Sequence, residues 1–183
     1  MHQKILVRKK YYLLRKKKYH EVSKDFFSPL LNLIKIKFKK KKIKIGLYYP
    51  SSFEINILKL IKFNYISDQN LSLPVIEENN LMNFFPWKKN EILRVNKYGM
   101  LEPFKSKEII PNVILVPLVA YDKNKYRLGY GKGFYDRYLN KYFKTFKNIL
   151  SVGVAFSFQK YHKLPIDNND VKLNYILTEK GIF

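Results

Sequence analysis

Apolar and polar positions along this chain follow two periodicities that take turns. Residues 3–19 set Ile5, Leu6, Tyr12 and Leu13 among bases at helical intervals, and FFSPLLNLIKIKF at 26–38 repeats that spacing after a Ser28-Pro29 start. The KKKK run at 39–42 breaks the pattern. IKIGLYYP at 43–50 alternates as a strand does, and a helix is expected over about 52–63 behind a serine cap. Short strands follow around Leu73 to Ile76 and Leu81 to Phe85. NVILVPLVAY at 112–121 and NILSVGVAF at 148–156 are continuous apolar runs, the mark of strands buried on both faces of a largely parallel sheet. From Gly133 to about Tyr142 the intervals are helical again, and YILTE at 175–179 reads as a last strand. Strands alternating with helices predict an α/β fold: a largely parallel central sheet flanked by helices, a three-layer sandwich.

Composition narrows this picture. A chain of 183 residues, 46% hydrophobic, with no internal repeat and no Gly/Ser-rich linker, reads as one domain over 1–183, with a basic helical N-terminal region over about 1–42. The absence of cysteine excludes disulfides, thiolate metal sites and cysteine nucleophiles. His2, His20 and His162 lack metal-ligand spacing, which argues against zinc hydrolase chemistry. The longest uncharged apolar run, 109–121, is shorter than the ~18 residues that span a bilayer, and the first residues lack the apolar stretch of a signal peptide. A cytoplasmic protein with no membrane partner is expected.

Charge is the strongest compositional signal. The net charge is +22, and residues 1–44 hold 16 Lys or Arg against Glu21 and Asp25, leaving +8 for the rest. Such a segment attracts nucleic acid, anionic membrane or small polyanions, or is simply a solvated basic face.

The motif RLGYGKGFYDRYL at 127–139 gathers Gly129, Gly131 and Gly133 between Arg127 and Lys132, directly before a helical pattern. Glycines let backbone N–H groups approach an anion, and the helix adds its positive N-terminal end. It is neither a Walker loop nor a dinucleotide fingerprint, which leaves another phosphate cradle or a tight turn with exposed bases. Asp136, in the first helical turn, is accounted for either by the helix dipole or by a hard cation held beside phosphates.

Taken with its context, this motif resembles the 5-formyltetrahydrofolate cyclo-ligase family, also called methenyltetrahydrofolate synthetase. KILVR at 4–8, LYYPSSFEI at 47–55, LPV at 73–75, YGMLEP at 98–103, ILVPLVAYD at 114–122, SVGVAF with Gln159, and LPIDNNDVKLNYILTE at 164–179 keep the family's order. The resemblance implies ATP- and Mg²⁺-dependent closure of 5-formyltetrahydrofolate to 5,10-methenyltetrahydrofolate. ATP phosphorylates the formyl oxygen, nitrogen 10 attacks the activated carbon, and ADP and phosphate are released. It implies ATP contacts from Lys4, Arg8 and the loop Arg127, Leu128, Gly129, Tyr130, Gly131, Lys132, Gly133, Phe134 and Tyr135. Folate contacts are implied for Tyr49, Glu54 and Tyr130 to Phe134, and magnesium ligands for Asp136 and Asp170. Arg127, Lys132 and Tyr135 are the implied catalytic groups.

Some positions stand apart. Arg15, in RKKK, is expected on a solvated face, though near enough to add charge beside the triphosphate. Glu102 is expected to cap a turn before Pro103, and Phe85 and Trp87 fit either core packing or stacking on an aromatic ligand. Lys125, Lys132, Asn56 and Asn169 depart from residues common in the family. Two other classes explain less: an RNA-binding module accounts for the charge alone, and a non-catalytic paralogue on the same fold calls for a damaged loop. The bases also suit a polyglutamylated folate. The oligomeric state is left open.

Overall fold

The computed structural model describes residues 2–39 and 42–183. In chain order the elements are α1 (His2–Lys18), α2 (Ser28–Phe38), β1 (Ile45–Gly46), β2 (Leu71–Ile76), β3 (Met82–Pro86), β4 (Arg94–Val95), β5 (Leu101–Glu102), β6 (Val113–Pro117), β7 (Ala120–Tyr121) and β8 (Arg127–Leu128). They continue with α3 (Phe134–Thr145), β9 (Leu150–Val154), β10 (Tyr175–Thr178) and β11 (Gly181–Ile182). Seven strands form one sheet in the order β11-β10-β9-β6-β1-β2-β3. β10, β9, β6, β1 and β2 run parallel, and antiparallel β11 and β3 close the two edges.

Strand parity builds the layers. Val113 and Leu115 of β6, with Leu150, Val152 and Val154 of β9, meet Leu30, Leu31, Ile34 and Phe38 of α2 in one core. Ile114 and Val116 point the other way, joining Tyr138, Leu139 and Tyr142 of α3 and Ile176 of β10 in a second. Both faces of β6 are thus buried, as its unbroken apolar run requires. The expected three-layer α/β sandwich is the observed architecture. Among the described residues no helix is long and apolar enough to cross a membrane.

α1 belongs to neither layer. Its Val7 and Tyr11 pack on Val119, Ala120, Leu128 and Leu164, and the Tyr11 hydroxyl donates to Lys160 O at 3.0 Å. The basic N-terminal helix is therefore docked where β6 leaves the sheet.

Several expected elements are corrected. No helix fills 52–63: Ser52 (φ 49°) and Phe53 (φ 64°) are left-handed, and only Ile57–Lys62 forms a 3-10 helix, capped by the Asn56 side chain accepting from Leu58 N at 3.2 Å. The run 112–121 is not one strand. It breaks after Pro117, which lacks a ladder donor, and Val119 N bonds Leu128 O at 2.8 Å, so that β7 and β8 form a separate hairpin. The glycine loop thus follows that hairpin and not the central strand directly. β1 is only Ile45–Gly46 of the strand expected at 43–50. α2 ends at Phe38, before the KKKK run, of which Lys40 and Lys41 lie outside the described residues. The β4–β5 hairpin was not expected; the Asn96 side chain organises its turn by accepting from Tyr98 N and Met100 N.

From β1 the chain proceeds to β2 on one side, while β6 pairs on the other. This is a topological switch point, and ligands of open α/β sheets bind in the crevice beyond the strand ends there. The segments leaving those ends are 47–56 and 118–133.

Candidate functional site

Two groups of side chains converge on this crevice. The first surrounds the glycine loop. The Arg127 side chain is 3% exposed, and its Nη2 lies 2.9 Å from Asp136 Oδ1 while Nη1 donates to Val171 O at 3.1 Å. Burial lowers the Arg127 pKa, and the charge of Asp136 opposes that shift. Asp136 Oδ1 also accepts from Val171 N at 3.1 Å, joining the start of α3 to the segment carrying Asp170. Lys4 Nζ lies 2.5 Å from Asp170 Oδ2 and 2.8 Å from Asp167 Oδ2. Desolvation works against the Lys4 charge, yet these bonds raise its pKa overall.

The loop itself is held by arginines. Arg8 Nε donates to Gly129 O at 2.8 Å, and Arg137 Nη2 donates to Lys132 O at 2.7 Å and to Asn80 O at 2.7 Å. Gly131 (φ 102°) and Gly133 (φ 68°) are left-handed, and a Cβ on Gly131 would stand 3.3 Å from Arg8 Cζ. Leu128 points into the core beneath α1, and Phe134 meets Tyr98 edge-on at 5.6 Å. Lys132 is exposed, its ammonium 5.7 Å from the Tyr98 ring.

The second group lies in the segment leaving β1. A cleft of about 340 Å³ is lined by Tyr19, Tyr49, Ser51, Phe53, Glu54 and Asn56, among others. Glu54 is buried: Oε1 accepts from the Tyr130 hydroxyl at 2.8 Å and Oε2 from Ser51 N at 2.9 Å. Burial pushes the Glu54 carboxyl above its ordinary range, while the Ser51 N–H, the Arg15 charge and the Tyr130 hydroxyl pull back. Tyr135 brings a buried hydroxyl with no hydrogen-bond partner among the described residues, and burial followed by the charge of Glu54 drives its pKa far up.

The fold thus brings Lys4, Arg8, the loop from Arg127 to Tyr135, Asp136 and Asp170 to one side of the crevice, and Tyr49 and Glu54 to the other. Tyr130 touches both groups. Arg15 overturns its expectation of a solvated face: it is 1% exposed and bonded to both strand exits. Its signal was present in the sequence, since Lys4, Arg8, Tyr11 and Arg15 recur at helical spacing on one face of α1. Glu102 is 3% exposed, paired with Arg94 at 3.0 Å and accepting from Ile76 N and Asn96 Nδ2, so that it joins the β4–β5 hairpin to β2 in place of the turn cap expected before Pro103. Phe85 and Trp87 are buried, Trp87 in the α2-side core.

A sheet with a switch-point crevice, a basic glycine-rich loop on one side and a buried carboxylate on the other defines an α/β enzyme that grips its ligands at the strand ends. The sequence profile described as the 5-formyltetrahydrofolate cyclo-ligase family matches residues 3–179. The 5-formyltetrahydrofolate cyclo-ligase of Haemophilus influenzae is 31% identical over 165 residues, 86% of each chain. The solved 5,10-methenyltetrahydrofolate synthetase of Aquifex aeolicus superposes with a TM-score of 0.71 at 30% identity, covering 98% of this chain and 91% of its own. That of Mycoplasma pneumoniae gives 0.66 at 26% identity, covering 95% and 97%. The chain belongs to the 5-formyltetrahydrofolate cyclo-ligase family, and its activity is that of a methenyltetrahydrofolate synthetase.

Proposed function

We propose that this chain closes 5-formyltetrahydrofolate to 5,10-methenyltetrahydrofolate at the expense of ATP with Mg²⁺, the nucleotide lying along the glycine loop and the pterin in the Glu54 cleft. The observation that carries this reading is that one loop serves both halves. Gly129 is bonded to Arg8 beside the Lys4–Asp170 pair, and one residue further Tyr130 is bonded to Glu54.

The formyl oxygen attacks the γ-phosphorus and the bond to ADP breaks. Nitrogen 10 then attacks the activated carbon and loses its proton, and the C–O bond breaks as phosphate leaves with the former formyl oxygen. Protein groups act here by positioning and charge. Lys4, Arg8 and the loop amides bind phosphate, and Arg127 holds Asp136 in place. Glu54 accepts from the pterin N–H groups, with Tyr49 on the cleft wall. Tyr135 offers its unpartnered hydroxyl to the reacting oxygen, and exposed Lys132 reaches the nucleotide from the loop's outer side.

Asp136 Oδ2 and Asp170 Oδ1 accept no hydrogen bond among the described residues. Two such hard oxygen donors suit Mg²⁺, and Asp136 and Asp170 are the residues that would hold it. When bound, the ion neutralises charge on the transferring phosphoryl group.

The test is to mix the purified protein with 5-formyltetrahydrofolate, ATP and Mg²⁺ and follow methenyltetrahydrofolate absorbance. Product should form, and omission of ATP or chelation of the metal should stop it. Turnover that continues without nucleotide would refute the mechanism.

A further inference from the structure

Arg15 is the largest fully buried side chain of the described residues. A guanidinium is desolvated at such expense only where most of its donors find acceptors, and here both terminal nitrogens do, while buried Nε has no hydrogen-bond partner among the described residues. Nη1 donates to Leu118 O at 3.0 Å, just past β6, and Nη2 to Ser52 O at 2.8 Å, past β1. Arg15 therefore pins α1 to both exits of the switch point. Nη2 also donates to the Tyr130 hydroxyl at 2.5 Å, and Tyr130 donates to Glu54 Oε1 at 2.8 Å.

With Glu54 ionised, the direction of this chain is forced. A guanidinium has donors only, so the Tyr130 oxygen must accept from Arg15, and its single proton is left for Glu54. We propose that Arg15 is a positioning residue, which through the Tyr130 hydroxyl fixes the Glu54 carboxylate in the folate cleft and ties that cleft to the glycine loop. It touches no reacting atom. The proposal rests on the reading of Glu54 as the folate acceptor.

The surroundings of Glu54 leave Arg15 this task. Tyr48, Tyr130 and Tyr135 face Glu54 from the segment leaving β1, the glycine loop and α3, and the Arg15 guanidinium of α1 is the cation beside it. The Tyr48 hydroxyl is committed to Ile55 O at 3.0 Å. Among these side chains only the Arg15–Tyr130 pair brings both a donor and a positive charge to the carboxylate, and both favour its ionised form.

The decisive variant is Tyr130→Phe, which removes one hydroxyl from a residue 47% exposed and keeps its ring, so the fold should hold. Initial rates are measured with each substrate varied, across about pH 5 to 9. The KM for 5-formyltetrahydrofolate should rise about tenfold, the worth of one hydrogen bond to a charged group, while the KM for ATP stays unchanged. The acid limb of kcat/KM for folate should move to higher pH, because Glu54 loses a donor that favours its charge. Arg15→Met should reproduce both changes, and the double variant should be no worse than Arg15→Met, since the pair acts as a unit. An unaltered folate KM with an unmoved acid limb in Tyr130→Phe, or an effect confined to ATP, overturns the proposal. Glu54→Gln separates the two levels. If it leaves the folate KM unchanged, the reading of the cleft fails and the proposal with it; if it raises that KM and Tyr130→Phe does not, the relay alone fails.

Discussion

The two halves of the crevice hold charge in opposite ways. Around the loop, Lys4, Arg127, Asp136, Asp167 and Asp170 form pairs of opposite sign at 2.5 to 2.9 Å. In the cleft, Glu54 is a buried carboxylate whose direct partners are neutral donors, with Arg15 one residue removed. A network of pairs can trade a partner for a phosphate or a cation without baring a charge. A buried carboxylate instead favours neutral N–H groups and excludes anions. The contrast matches the two proposed substrates, and it makes the stability of the fold respond oppositely when each carboxylate is neutralised.

The largest effect is expected on the paired side. Asp136→Asn should lower kcat by about 10²- to 10³-fold, as loss of a group that acts on charge in the transition state does. It should also lower unfolding free energy in urea by about 2 kcal/mol, because Arg127 remains buried without its countercharge; the full cost of breaking a buried pair is discounted for the partial exposure of Asp136. An Asn variant with wild-type turnover would remove the basis for a metal at this position.

The unpaired side should behave in the reverse sense. Folding raises the Glu54 pKa, so the folded protein prefers the neutral carboxyl, and the ionised group is a burden above that raised value. Glu54→Gln should therefore raise Tm by about 2 to 4 °C at neutral pH, corresponding to about 1 kcal/mol, even as it loses folate. The gain should shrink as pH falls through the raised folded value and vanish below the ordinary carboxylate value of 4.5. A Gln variant less stable than the parent at neutral pH would mean that the donors around Glu54 already outweigh its desolvation.

This electrostatic division was only half legible in the sequence. The buried strands β6 and β9 were plain because residues apolar on both faces leave no ambiguity about burial. The glycine loop and Asp136 were plain because glycine spacing and a first-turn acid are local signals. The crossing of α1 over the strand ends was not, since helical spacing sets Arg15 on the face of Lys4, Arg8 and Tyr11 but only the fold decides what that face meets. Arg15 beside three lysines is the clearest instance. The irregular path of 52–56 was also hidden, because left-handed Ser52 and Phe53 are imposed by tertiary contacts and contradict local preference. Likewise, the break after Pro117 lay inside a run whose hydrophobicity never changes.

The smallest effect concerns the loop that joins the halves. Gly133 is left-handed at φ 68°, and a Cβ there would stand 2.9 Å from Arg137 Nη1, the mobile end of the side chain that holds Lys132 O. Gly133→Ala thus adds backbone strain of about 1 kcal/mol and pushes Arg137 off the loop without blocking either cleft. Its expected signature is a fall of about that size in unfolding free energy together with a KM for ATP raised by about fivefold, less than the loss of one charged hydrogen bond. The folate KM should hold, because Tyr130 is fixed from the other side by Arg15 and Glu54. Gly129→Ala supplies the folding control: a Cβ there meets nothing within 4 Å, so its unfolding free energy should stay within about 0.5 kcal/mol of the parent. If Gly133→Ala raised both KM values together, the loop would be moving as one rigid piece, and the two halves, joined through Tyr130, would not respond separately.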